Sequence, residues 1–208
     1  MSVIDNADCF RGARVIPVLT PASVASGVAI SRVLYTAGLR VQEVTLRTPA
    51  GLETLAALQR DLSELIVGAG SVLTPEMGRA AIGAGARFLV SPGTPADLLE
   101  FAIQCEVPFL PGAATVSELM HLLTRGWTVA KVFPIDSLGG PSFLKCLAGP
   151  LPSMKLCPTG GIDASVAPKY LELPNVLAIG GSWMAPPPLV GNKQFAEIQR
   201  LAEHAAAL

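Results

Sequence analysis

The chain has only five lysines, and one of them stands where a charge is least expected. Lys131 lies in Val129-Ala-Lys-Val-Phe133, with apolar neighbours on both sides. Burying an ammonium costs free energy, so a lysine inside an apolar strand needs a partner or a purpose. Desolvation favours the neutral amine, which is the form that attacks a carbonyl carbon. The bland alternative is a lysine that snorkels out at the strand end or pairs structurally with an acid, and pattern alone leaves the two even. Lys155 is also in a strand pattern, Met154-Lys-Leu-Cys157. It follows the Pro150-Leu-Pro152 loop closely, which reads as a more solvated strand start. Spacing does not choose between the two lysines.

Glu43 is the second charge within an apolar run, in Val41-Gln-Glu-Val-Thr45. A buried carboxylate near an amine could move protons as a general base; the alternative is a structural ion pair. Arg47, four residues on, offers a planar fork suited to a carboxylate or phosphate, although any single Arg is more often a surface residue. Two glycine turns, Thr159-Gly160-Gly161 and Gly180-Gly181-Ser182, have the composition of an anion cradle, because glycine lets backbone N–H groups approach closely. Tight turns also need glycine, so it is the pairing that makes the signal. No pattern demands a metal. The two histidines, His121 and His204, fall in helical stretches, and the four cysteines, Cys9, Cys105, Cys146 and Cys157, include no C-x-x-C.

These residues must be positioned by the elements around them, and those elements alternate. Short β-rich runs (14–20, 40–46, 64–70, 87–93, 107–112, 128–134, 153–161 and 175–181) are followed by Ala- and Leu-rich stretches with helical spacing (21–37, 49–61, 74–84, 95–105, 115–125, 143–147, 163–171 and 193–207). Eight strand–helix units predict a parallel sheet, and strands without clean alternation predict burial on both faces. A closed (β/α)₈ TIM barrel competes with an open doubly wound sheet. The repeat of about 26 residues is near the lower limit for the barrel, and no nucleotide-binding glycine fingerprint follows the first strand. The barrel is therefore expected, as a single domain over 1–208 with a short lead-in before the first strand. Its active site would lie at the C-terminal ends of the strands, where the residues above fall, and the loops after strands seven and eight would hold phosphate. Thr48, Thr74 and Thr94 each precede a proline and are expected to cap helices, and Thr115-Val-Ser-Glu118 has capping-box spacing. Ala185-Pro-Pro-Pro-Leu189 reads as a stiff turn.

Composition excludes other classes. Half of the residues are apolar, 15% are charged and the net charge is −1, with no basic stripe. Disorder and nucleic-acid binding are therefore not expected. No run approaches the about 20 apolar residues of a membrane span. The acidic start lacks a signal peptide's basic and apolar regions, and the cysteine spacing reads as cytosolic. The composition hints at a homo-oligomer.

The chain resembles the 2-keto-3-deoxy-6-phosphogluconate aldolases, which overlap with the 4-hydroxy-2-oxoglutarate aldolases. The resemblance runs nearly the full length. It rests on Glu43-Val-Thr-Leu-Arg-Thr48, Ile66-Val-Gly-Ala-Gly-Ser-Val-Leu73, Ser91-Pro-Gly93, Pro111-Gly-Ala-Ala-Thr-Val-Ser-Glu-Leu-Met120, Lys131-Val-Phe-Pro134, Ala148-Gly-Pro150, Cys157-Pro-Thr-Gly-Gly-Ile162 and Ile179-Gly-Gly-Ser-Trp183. It implies a class I aldolase that needs no metal or other cofactor. Such an enzyme cleaves a phosphorylated 2-keto acid of the Entner–Doudoroff type to pyruvate and an aldehyde, as a cytoplasmic homotrimer. By the same resemblance Lys131 is the imine-forming lysine, Lys155 a non-catalytic basic residue and Glu43 the acid/base. Arg47 and Ser71 would hold the pyruvate carboxylate, with Pro92, Phe133 and Thr159 lining the pocket. Gly160, Gly161, Gly181 and Ser182 would hold the phosphate. The chain departs from the family's usual pattern at Ser71, where many members carry Thr, at Val132 and Ile135-Asp136, and at Ala113-Ala114. These positions are expected to tune substrate choice. The competing readings are a phosphate-binding isomerase or decarboxylase without imine chemistry, a silent sugar-phosphate sensor, and a scaffold in an oligomer.

Overall fold

A computed structural model describes residue 10 and residues 12–208. Cys9 and most of the lead-in lie outside the described residues. The described chain is an α/β fold built on a curled, wholly parallel wall. In order, its elements are β1 (Val15–Leu19), α1 (Val24–Thr36), β2 (Val41–Thr45), α2 (Ala50–Asp61), β3 (Ile66–Gly70), α3 (Pro75–Gly83), β4 (Leu89–Val90), α4 (Ala96–Gln104), β5 (Phe109–Leu110), β6 (Gly112–Ala113) and α5 (Val116–Thr124). Then follow β7 (Val129–Val132), a 3₁₀ turn (Asp136–Leu138), α6 (Gly140–Leu147), β8 (Lys155–Pro158), α7 (Ala167–Leu171), β9 (Ile179–Gly181), α8 (Pro187–Gly191) and α9 (Phe195–Ala206).

The strands form two sheets, β5-β4-β3-β2-β1-β9 and β6-β7-β8. Single bridges, Leu156↔Val176 and Thr159↔Gly180, link the β8 region to the β9 region. The fifth expected strand is interrupted. Pro111 has no N–H to donate, so the run divides into β5 and β6 and the sheet divides with it.

Side chains alternate across the wall with the strand period of two. Ile16, Val41, Phe88, Val90, Leu110, Val129, Cys157 and Ala178 pack with Phe10 into one core cluster. Their strand neighbours Val15, Val44, Leu89, Phe109, Ala130, Val132, Leu156 and Ile179 pack with the helices in a second. Both faces are buried, which is why the strands read as continuous apolar runs. Glu43 and Lys131 stand two residues after Val41 and Val129, so the same period puts them on the inner face. Gln42 points the other way and donates to the Ser31 and Leu39 carbonyls.

Several helix boundaries differ from expectation. Thr74 does cap α3, accepting from the Met77 N–H, and Thr115 with Glu118 forms the full capping box of α5. Thr48 and Thr94 do not cap: the residues at the N-caps of α2 and α4 are Pro49 and Pro95, and neither makes a side-chain cap bond. Thr48 donates to the Pro21 carbonyl instead, and Thr94 to the Gly112 carbonyl. The expected stiff turn at 185–189 runs into α8, because proline is tolerated in a first helical turn. The helix expected from Asp163 starts at Ala167, because the Asp163 carboxylate accepts from the Ser165 and Val166 N–H groups and holds a turn first.

Candidate active site

Lys131 and Glu43 meet inside the wall although 88 positions separate them. The Lys131 ammonium donates to both carboxylate oxygens of Glu43, at 3.3 and 3.4 Å, and the two side chains are each only 4% exposed. β2 and β7 belong to different sheets, so the contact exists only because the wall curls far enough to face itself. The Lys131 Nζ lies 5.7 Å from the centroid of the Phe133 ring, an orientation that favours a cation over the ring face. Beside Lys131 in register is Cys157, whose thiol burial pushes up to about 12. That residue therefore stays a neutral filler beside the ion pair.

Glycine makes the room. In β3 a Cβ on Gly70 would lie 2.0 Å from Glu43 Oε1, and one on Gly68 would lie 2.3 Å from the Phe88 ring. The strand next to Glu43 thus presents no side chain where the carboxylate lies. One residue past β3, Ser71 takes a left-handed φ of 58°, unusual for a residue with a side chain, and its hydroxyl accepts from the Arg47 Nε–H at 2.8 Å. Arg47 and Ser71 thus form a second polar pair at the ends of β2 and β3. Thr45, wholly buried in β2, shares a 2.9 Å hydrogen bond with Thr20.

The two glycine turns are neighbours, joined at the Thr159↔Gly180 bridge. Gly160 and Gly161 hold φ values of 101° and 78°, where an L side chain is strained. Gly160 also lies against the Phe133 ring, so the first turn and the lysine strand are in contact. Gly181 is covered by the Trp183 ring, with exposed Ser182 between them in sequence. Pro92 is half-buried in the loop after β4, and a Cβ on Gly112 would lie 2.4 Å from its carbonyl carbon. Lys155 is not part of this group: it is exposed at the start of β8 and donates to the Pro174 carbonyl. His121 and His204 are exposed on helices α5 and α9. Among the described residues no three His, Cys, Asp or Glu side chains are grouped to hold a metal ion, and no helix is long and apolar enough to cross a membrane.

Reading by residue type and spacing misses Gly70, Cys157 and the hydroxyls of Ser91 and Thr94. Gly70 lies within Ile66-Val-Gly-Ala-Gly-Ser-Val-Leu73 but carries no chemistry of its own. Cys157 becomes relevant only through strand register. The hydroxyls read as ordinary loop and cap groups.

What the arrangement can do follows from its parts. A buried amine that can pass a proton to an adjacent carboxylate is a nucleophile for a carbonyl carbon. A guanidinium with a hydroxyl beside it can bind a carboxylate. Paired glycine turns can bind a phosphate.

Residues 6–201 match the family model described as KDPG and KHG aldolase. The 2-dehydro-3-deoxy-phosphogluconate aldolase of Pseudomonas aeruginosa is 41% identical over 195 residues, covering 94% of this chain and 89% of that protein. A crystal structure of the KDPG aldolase from Legionella pneumophila, with pyruvate captured as a covalent carbinolamine intermediate, superposes with a TM-score of 0.94 at 37% identity. It covers 97% of this chain and 98% of its own. The 2-keto-3-deoxy-6-phosphogluconate aldolase of Zymomonas mobilis, with 3-phosphoglycerate, superposes with a TM-score of 0.92 at 40% identity over 99% of this chain and 97% of that one.

Proposed function

The chain belongs to the KDPG and KHG aldolase family, and on that premise we propose that it is a class I aldolase working through an imine on Lys131. Its substrate is 2-keto-3-deoxy-6-phosphogluconate or a close 2-keto-3-deoxy acid. The products are pyruvate and an aldehyde such as glyceraldehyde 3-phosphate. The observation that carries this reading is the buried Lys131–Glu43 pair, 3.3 Å apart on facing parts of the wall.

The neutral Lys131 amine adds to the C2 carbonyl and forms a carbinolamine; Glu43 as general acid supplies the proton with which the hydroxyl leaves as water, giving an iminium and the Glu43 carboxylate. The iminium accepts the electron pair of the C3–C4 bond as Glu43 takes the proton from the C4 hydroxyl. The aldehyde leaves, the resulting enamine is protonated at C3, and water frees pyruvate and the lysine. Arg47 and Ser71 hold the carboxylate of the pyruvyl half. Pro92, Phe133 and Thr159 line the pocket, and Gly160, Gly161, Gly181 and Ser182 bind the phosphate at the far end. The reading includes a wall closed as a (β/α)₈ barrel in one domain, supported by the Thr159↔Gly180 bridge and by the five-residue run that carries both β5 and β6. It also includes a homotrimer in the cytoplasm, which family resemblance implies.

The test is borohydride trapping with pyruvate, followed by peptide mass spectrometry. The expected product is a pyruvyl adduct on Lys131, absent from Lys131→Arg, which keeps the charge but cannot form the imine. An adduct on Lys155 would keep the class of reaction and overturn the site. Unmodified protein, under conditions that label a known imine-forming aldolase, would favour a phosphate-binding enzyme without imine chemistry.

A further inference from the structure

The interrupted strand beside Lys131 is held by side chains where the backbone ladder lapses. Gly112 is the register partner of Lys131, and the Lys131 N–H donates to the Pro111 carbonyl at 2.8 Å. On its other side the pairing of β4 with β5 ends at Val90↔Leu110. Beyond that point two hydroxyls of the β4–α4 loop take over. Thr94 Oγ1 donates to the Gly112 carbonyl at 3.0 Å, and Ser91 Oγ accepts from the Gly112 N–H at 3.4 Å. Ser91, wholly buried, also donates to the Gly93 carbonyl at 2.6 Å, and its oxygen lies 3.2 Å from Thr94 Oγ1. Both polar groups of the residue alongside Lys131 are therefore gripped from one loop. The backbones are also close, since a Cβ on Gly112 would lie 2.4 Å from the Ser91 carbonyl oxygen.

The use of Thr94 is the informative choice. It precedes Pro95 in a pattern suited to helix capping, a role that stabilises a helix start. The hydroxyl is turned to the strand instead, and α4 begins with no side-chain cap bond. A group diverted from local stabilisation to the seam beside the reactive lysine suggests that its placement matters there.

We propose that Thr94 and Ser91 are positioning residues for imine formation: their hydroxyls clasp Gly112 and thereby set the strand that carries Lys131 and the loop that carries Pro92. Neither hydroxyl contacts Lys131 itself. The inference rests on the aldolase reading above.

The test compares Thr94→Val, which replaces the hydroxyl with a methyl, and Thr94→Ser, which keeps it, with the unaltered enzyme. The readouts are the single-turnover rate of borohydride-trappable imine with pyruvate, its pH profile, and Tm. Displacement of reacting groups by a fraction of an ångström is expected to slow imine formation about tenfold in Thr94→Val, with the adduct still on Lys131. Thr94→Ser should return to within about twofold of the unaltered rate. If Thr94→Val forms the imine at the unaltered rate while its Tm falls, the clasp is merely structural and the proposal is wrong. Equal slowing in Thr94→Ser would also overturn it, because the hydroxyl would not be the active feature. Absence of an adduct in the unaltered enzyme would instead mark failure of the aldolase reading.

Discussion

At the scale of single residues, a side chain with no chemistry sets the geometry of one that has it. Gly70 has no Cβ to meet Glu43, and an added methyl would come within 2.0 Å of the carboxylate oxygen. The end of Glu43 is flexible, so in Gly70→Ala the carboxylate should move and the fold should persist. If Glu43 is the proton-transferring group, as proposed, a shift near 1 Å there is expected to lower kcat about a hundredfold. Steady-state kinetics alongside a melting curve would check this, and kcat within a few-fold of the unaltered enzyme would refute it. Lys131 was conspicuous in the sequence because its apolar neighbours made its charge anomalous. Gly70 was not, because a glycine in a strand is visible only through what lies against it.

At the scale of elements, similar sequence signals had different outcomes. Thr74, Thr94 and Thr115 all stand just before helices, yet only Thr74 and Thr115 accept a capping bond. In the α5 box the Glu118 carboxylate accepts from the Ala114 and Thr115 N–H groups. The bond from Ala114, followed by those from Thr115, outweighs partial burial and holds this carboxyl below its usual range. A depressed folded-state value contributes stability above the unfolded carboxylate range and loses it as pH falls through that range and below. Thr115→Ala is expected to cost about 1 kcal/mol at neutral pH in denaturant unfolding. The stability gap between the unaltered protein and Glu118→Gln should narrow as the solution is acidified. A gap independent of pH would mean that the ionised carboxylate contributes nothing to the cap.

At the scale of the whole molecule, the inner face of the wall is filled from below by Phe10, Phe88 and their neighbours, and the ion pair lies on the same face. The rings of Phe10 and Phe88 meet edge to face at 5.2 Å. Outside, Leu73 and Met120 are each 54% exposed, with Val116 also exposed, on a chain of low charge density. Such residues cost little in an assembly that covers them. The homotrimer implied by resemblance predicts a trimer mass in sedimentation at micromolar concentration, and a monomer there would refute it.

Local pattern was enough for the alternation of strands and helices, the burial of both strand faces, the capping box of Thr115 and Glu118, and the anomaly of Lys131 and Glu43. Those features depend on neighbours within a few residues and on the periods of strand and helix, which a single chain displays directly. Two others needed the tertiary structure: the contact between Lys131 and Glu43, and the diversion of Thr94 from its helix to Gly112. Each depends on strand register and on the curl of the whole wall. That curl sums small twists over many paired strands, so residues 88 positions apart meet or miss according to a global geometry that no short stretch of sequence encodes.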